Sequence, residues 1–247
     1  MIRCFVADLH VHSVLSPCAA VEMTPRNIVW HAAEHGVDII AVTDHNAGDN
    51  VRAVLEAAKG TPVTVLPGME VETKEEIHVV ALFDKMRSFQ EWEKVVEDHR
   101  SGRLNDADKF GAQFVVDAED NLVRVKEEML LAALTLGLEE LCDRVEALGG
   151  LCIASHVDRP AYSILYKLGF IPSGLKLAAA EISPLIKKED ALRRFPALAK
   201  IPIVASSDAH TMDDFIGGPK TCFHMEQATL PEIRQALYSE NRREVVL

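Results

Sequence analysis

The chain has 247 residues, 48% of them hydrophobic, which is enough for one sizeable core, and no apolar run approaches the roughly 18–20 residues of a membrane span. Its formal charge of −12 disfavours long nucleic acid, whose binding draws on phosphate neutralisation, but leaves room for bound cations. The start MIRCFVADLH has no basic stretch leading into a long apolar one, and Cys4, Cys18, Cys142, Cys152 and Cys222 form no CxxC pair, so a cytoplasmic protein with reduced thiols is expected.

Arg3 to Leu9 reads as a strand. Thr24-Pro25 starts a helix that Gly36 closes, with threonine as cap and proline at the first helical position. DIIAVT, residues 38–43, is a near-continuous apolar strand of the kind found in buried parallel sheets. A helix is predicted from about Asn50 to Lys59, strands over Thr61–Leu66 and Ile77–Leu82, and an amphipathic helix over Ser88–His99. The alternation then breaks. Residues from about 101 to 125 form a polar excursion, a candidate lid by position, with a hairpin of Gln113–Val116 and Leu122–Val125. Helices are predicted over Lys126–Leu136 and Leu138–Leu148, and strands over Leu151–Ser155, Ala178–Ile182 and Ile201–Ser206. Thr229 and Glu232 give a capping-box signal for a final helix with Pro231 in its first turn. About seven strands in β/α alternation argue for an α/β fold with a parallel sheet covered by helices, whether barrel or open. No linker is long enough to split the chain, so residues 1–247 are expected to form one domain.

Metal-binding side chains recur where these strands end. His10 and His12 are two apart on a strand, on one face, with α-carbons roughly 7 Å apart. Asp44-His45, Glu70, His78, His156, Asp208 and His210 sit beside other predicted strands, mostly at carboxyl ends, which gather on one face of a parallel α/β protein. A lone histidine at a strand end is usually structural, and His31, His35, His99 and His224 are left as such. It is the recurrence that carries the signal. Imidazoles and carboxylates with little thiolate suit Zn, Mn or Fe, and Glu70 is suited to bridging, because its two oxygens can reach two ions.

DLHVHS, VTDHN, PGME, IHVV, ASHVD and SSDAH, in this order, resemble the PHP family (polymerase and histidinol phosphatase) over nearly the whole chain. The resemblance implies a distorted TIM-like barrel of seven β/α units with a metal site at the C-terminal ends of its strands. It also implies a phosphoesterase using two to three divalent transition-metal ions. His10, His12, Glu70 and Asp208 would hold the first ion. Glu70, His78 and His156 would hold the second, and His45 and His210 the third. That third site would take a further ligand from the loop after His12, where many members have an aspartate or a histidine. Here Pro17 and Cys18 stand there, and Cys18 is either a thiolate ligand favouring Zn or Fe, or an inert thiol.

The implied chemistry is attack by a metal-bridged hydroxide, with Glu70, Asp208 and His210 as catalytic groups and Asp208 or a histidine protonating the leaving oxygen. Arg159 in SHVDRP is the leading candidate to grip phosphate, against a surface salt bridge as the plain alternative; Lys220 and Lys187-Lys188 rank below it. The expected substrate is a small-molecule phosphate ester of a sugar, amino alcohol or nucleotide. The alternatives are a nuclease-like phosphodiesterase acting on oligonucleotides and a catalytically inactive metal-binding module. The sequence carries no sign of a membrane partner or of an oligomeric state.

Overall fold

The computed structural model describes residues 1–247. Its strands are β1 (Arg3–Val11), β2 (Ile39–Val42), β3 (Thr64–Val65), β4 (Gly68–Glu72), β5 (His78–Leu82), β6 (Phe114–Val116), β7 (Leu122–Val125), β8 (Leu151–Ala154), β9 (Ala179–Ile182), β10 (Ile203–Ala205), β11 (Thr221–Met225) and β12 (Glu244–Val246). The helices are α1 (Pro25–Glu34), α2 (Val51–Ala57), α3 (Met86–His99), α4 (Ala107–Phe110), α5 (Leu138–Ala147), α6 (Ile164–Leu168), α7 (Lys188–Arg194), α8 (Met212–Gly217) and α9 (Leu230–Leu237). None is long and apolar enough to cross a membrane.

Two five-stranded sheets, ordered β12-β11-β1-β2-β3 and β10-β9-β8-β5-β4, face each other. Phe5, Ala7, Leu9, Ile39 and Ala41 from the first meet Val80, Leu82, Leu151, Ile153 and Val204 from the second, and α9 covers one end with Leu230, Ile233 and Leu237. Single bridges, Val11 to Ala209 and His45 to Glu70, join the sheets at their two seams. Helices pack outside: α1 and α2 on the first sheet, α3 and α5 on the second. Packing holds these helices in place. Phe89, Trp92 and Val96 on one stripe of α3 are fully buried, and each large side chain contributes roughly 1.5–3 kcal/mol. The exposed Lys94–Glu91 pair on the same helix contributes at most about 1 kcal/mol.

The α/β expectation is met, with a mixed rather than parallel sheet system and two sheets rather than seven uniform β/α units. β1–β11, β11–β12, β4–β5 and β5–β8 pair antiparallel. The β6–β7 hairpin forms as expected. Four local expectations are corrected. Residues 126–136 are not helical, because their backbone serves other segments: Asn46 donates to the Leu130 and Ala132 carbonyls, Gln113 to those of Lys126 and Glu128, and the Leu134 N–H goes to Glu72. Glu70 lies inside β4 rather than in a turn after β3. Thr229 makes no side-chain cap; the Glu232 carboxylate accepts from the Glu226 N–H and pairs with Arg243 instead. A capping box forms at Thr211 and Asp214, before α8. Cys4 and Cys222, expected as free thiols, are joined by a disulfide. The β1–β11 register sets Cys4 opposite His224 and Val6 opposite Cys222, so the two cysteines are diagonal neighbours with α-carbons 5.7 Å apart.

Candidate metal centre and active site

The HxH pair owes its aim to a bulge. Asp8 pairs with Ile40 and Val11 with Val42, so β1 holds one residue more than β2 between these points. Below the bulge Phe5, Ala7 and Leu9 point into the space between the sheets; above it Val11 packs outward among the residues under α1. The bulge thus turns His10 and His12 inward, where strict alternation would have sent them out. On β4, Met69 and Val71 pack outward, which leaves Glu70 and Glu72 facing in. His78 begins β5, but β5 runs antiparallel to β4, so its start reaches the same mouth as the ends of β1, β2 and β8.

There the Glu70 carboxylate, 1% exposed, meets five imidazoles. Its Oε1 lies 3.2 Å from His10 Nε2, 3.1 Å from His78 Nδ1 and 3.4 Å from His156 Nε2; its Oε2 lies 3.1 Å from His45 Nδ1 and 3.5 Å from His12 Nε2. Asp208 Oδ1 lies 3.3 Å from both His10 and His12 Nε2 and 3.8 Å from His210 Nδ1. The His12 ring stacks on that of His210 with centroids 4.2 Å apart. The structure therefore brings together His10, His12, His45, Glu70, His78, His156, Asp208 and His210. Cys18 is exposed but close enough to His45 to affect its protonation. Arg159 is partly exposed but turned into the site: its Nη1 lies 2.6 Å from Asp208 Oδ2, and it lines the same cleft of about 290 Å³. Lys220 is spoken for elsewhere, pairing with buried Asp8 at 3.0 Å and donating to the Phe215 carbonyl. Lys187 and Lys188 lie at the start of α7, outside the residues that line the cleft.

The donor set fits cations. Glu70 Oε1 is buried without a hydrogen-bond partner, and His10 Nε2 faces His12 Nε2 at 3.2 Å. Two imidazole nitrogens and an orphaned carboxylate oxygen turned toward one point are satisfied together by a positive ion. The partners of the distal nitrogens agree. His10 Nδ1 faces Glu181 at 3.0 and 3.2 Å, and His12 Nδ1 faces Ser16 Oγ at 3.0 Å, while the Ser16 hydroxyl donates to Asp44 at 2.6 Å. His210 Nδ1 faces the Asp208 carbonyl at 2.8 Å. Each contact gives Nδ1 an acceptor for its N–H and leaves Nε2 as the nitrogen turned toward the proposed ions.

Proton affinities follow the crowding. Burial opposes charge on His10, yet Glu181, Glu70 and Asp208 hold its pKa well above the usual range. Burial, with His210 and His45 alongside, holds that of His12 well below. Against their own burial, Glu70 is held well below the carboxylate range by His78 and His10, and Asp208 by His10 and His12. Burial lowers His45, but the Cys18 sulfur and Glu70 raise it further.

Glu181 and Ser16 are the supporting residues that the motifs passed over, and Asp44, read from the sequence among the metal-binding side chains, spends its carboxylate on Ser13 and Ser16 instead. Glu181 also accepts the His156 N–H at 3.2 Å, and Asp44 accepts from the Ser13 and Ser16 hydroxyls at 2.6 Å each. One signal was available: Glu181 is a lone charge inside the apolar strand AAEI. Backbone strain gathers here too. Asn46, His156, Tyr162 and Asp208 have φ of 47°, 29°, 57° and 50°, a left-handed region costing about 1–3 kcal/mol per non-glycine residue.

A model of the PHP domain matches residues 8–192. The chain belongs to the PHP domain family. Among relatives of this PHP protein, a 5'-3' exoribonuclease of Haemophilus influenzae is 30% identical over 107 residues, 40% of this chain and 38% of that protein. The chain thus spans well under half the length of that curated relative. Among solved structures, the lesion-specific endonuclease PfuEndoQ from Pyrococcus furiosus superimposes with a TM-score of 0.74 at 20% identity, covering 99% of this chain and 58% of that one. A Bifidobacterium adolescentis protein described as a metal-dependent phosphoesterase gives 0.60 at 18% identity, covering 97% and 98%. At these identities the two structures speak for the fold alone.

Proposed function

We propose that this chain hydrolyses phosphate esters with two to three divalent transition-metal ions, Zn, Mn or Fe, held by His10, His12, His45, Glu70, His78, His156, Asp208 and His210, with Cys18 as a further ligand beside His45. The observation that carries this reading is the Glu70 carboxylate, faced through both oxygens by five imidazole nitrogens. Such ions, when bound, acidify water and draw charge from phosphoryl oxygens. Arg159 grips the phosphoryl group from the side with its planar donor fork. Glu181 and the Asp44–Ser16 pair hold His10 and His12 in one tautomer and orientation. Asp208 stays ionised under the influence of His10 and His12, so it does not supply the proton for the leaving oxygen. Residues 1–247 act as one domain in this reading.

The substrate is a small-molecule phosphate ester of a sugar, amino alcohol or nucleotide. A second reading, a nuclease-like phosphodiesterase acting on oligonucleotides, draws equal support from the exoribonuclease relative and from the fold shared with a lesion-specific endonuclease. A panel of phosphomonoesters, nucleotides and oligonucleotides, assayed with metal-replete protein and with Glu70→Gln, tests both. Hydrolysis abolished by the substitution is expected. Metal-replete protein that cleaves nothing in the panel would leave only a metal-binding module.

A further inference from the structure

A second cavity, of about 670 Å³, opens beside the metal cleft and shares Ala161 and Tyr162 with it. Its size falls within the roughly 300–1,000 Å³ of small-molecule sites. Glu72 lies one step up β4 from Glu70, opposite His78, on the same inward face. Its backbone is paired on both sides, with its N–H on Asn46 and its carbonyl accepting from Leu134. Its carboxylate, on a residue only 9% exposed, has no hydrogen-bond or ion-pair partner and lines this cavity. Tyr162 stands across the mouth in a left-handed conformation, its carbonyl accepting the His78 N–H at 2.8 Å. One face of its ring stacks on His78, with centroids 4.4 Å apart and planes at 17°; the residue is 43% exposed. The polar excursion supplies Arg103, an exposed guanidinium without an ion-pair partner, and Met129 forms part of the apolar wall.

We propose that this cavity is a ribonucleoside subsite: a nucleobase stacks on Tyr162, and the vicinal ribose hydroxyls donate to the Glu72 carboxylate, while the phosphate of the same nucleotide lies in the metal cleft. The inference rests on the phosphoester reading above and narrows its substrate class. Lys167 and Glu76, also in the lining, pair with each other, which leaves Glu72 as the carboxylate that calls for donors from a ligand, and a ribose diol offers two side by side. The 2'-hydroxyl is the group by which a protein tells ribose from deoxyribose. An aromatic face at the edge of a cleft accepts any base by stacking. Arg103, in the same lining and without an ion-pair partner, is a cation for the next phosphate of a longer strand. The polar excursion thereby gains a role as the wall of the substrate cavity.

Calorimetry on the metal-loaded protein tests this without turnover, using the non-hydrolysable 5'-methylenephosphonate analogues of adenosine and 2'-deoxyadenosine, with inorganic phosphate as a third ligand. The ribo form is expected to bind roughly tenfold or more tightly than the deoxy form, as befits hydrogen bonds to a charged acceptor. Glu72→Ala should bring that ratio close to one, and Glu72→Gln, which keeps the volume and one acceptor, should lower it part-way. Tyr162→Ala should weaken both forms alike, by roughly tenfold, and keep the ratio. Equal binding of the two analogues by the unaltered protein, with phosphate still bound, overturns this inference alone. Binding of none of the three ligands removes the phosphoester reading as well. Loss of metal in Glu72→Ala would make Glu72 a ligand and overturn the subsite.

Discussion

Glu181→Ala tests how far the metal centre depends on a residue that touches none of the proposed ions. Glu181 is 2% exposed and holds His10 Nδ1 with both carboxylate oxygens, at 3.0 and 3.2 Å, and the His156 N–H with one, at 3.2 Å. Truncation leaves a buried imidazole N–H and a buried backbone N–H without acceptors. A buried donor stripped of a charged partner costs about 1.5–3 kcal/mol, and partners of metal-bound histidines are each worth roughly 10–100-fold in metal affinity or activity. Both ranges point to a loss of at least tenfold in metal affinity, measured by competition with a chelator of known affinity. Circular dichroism of the metal-free protein separates this effect from unfolding. Glu181→Gln keeps an acceptor for His10 and should fall between the two. A folded Glu181→Ala protein with metal affinity within twofold of the unaltered protein would refute the claim that Glu181 positions His10.

Other outcomes are expected. Glu70→Gln should lower kcat/KM by more than the roughly 10–100-fold typical of a supporting residue, and by more than Cys18→Ala does, because Glu70 faces five imidazoles and Cys18 only His45; the reverse order in steady-state kinetics would move the bridging role elsewhere. Burial, with Asp49 and Glu97 nearby, raises the Glu93 pKa from the usual 4.5 to about 7. The folded state therefore binds more protons than the unfolded state between these values, and Glu93 makes stability fall as pH rises through that window and level off above it. Denaturant titrations at several pH values should show this slope, reduced in Glu93→Gln. Gly150→Ala would place a Cβ 2.7 Å from the Phe83 ring and 2.8 Å from the Leu82 carbonyl, so thermal unfolding should show a loss of about 1–3 kcal/mol.

The candidate ligands were legible in the sequence because chemistry concentrates at strand ends: His10, His12, His45, His78, His156 and His210 meet around two carboxylates, Glu70 and Asp208. What aims them was not legible. The bulge in β1 is a property of its register with β2, and a single strand does not reveal its partner's register. The reversed direction of β5, which brings His78 to the mouth, is likewise a property of pairing. Residues 126–136 carry a helical pattern that long-range hydrogen bonds from Asn46 and Gln113 override. The Cys4–Cys222 contact joins residues 218 apart across strands, of which β11 had no counterpart among the predicted elements. Glu181 had a local signal, but its meaning comes only from His10, 171 residues earlier in the chain.

The central claim is that Glu70 and its ring of imidazoles form a multinuclear metal centre. Elemental analysis of gently purified protein, before and after reconstitution with Zn, Mn or Fe, tests it most directly. Two to three transition-metal ions per chain are predicted, with fewer in Glu70→Gln. A chain that holds none after reconstitution, while remaining folded, would contradict it.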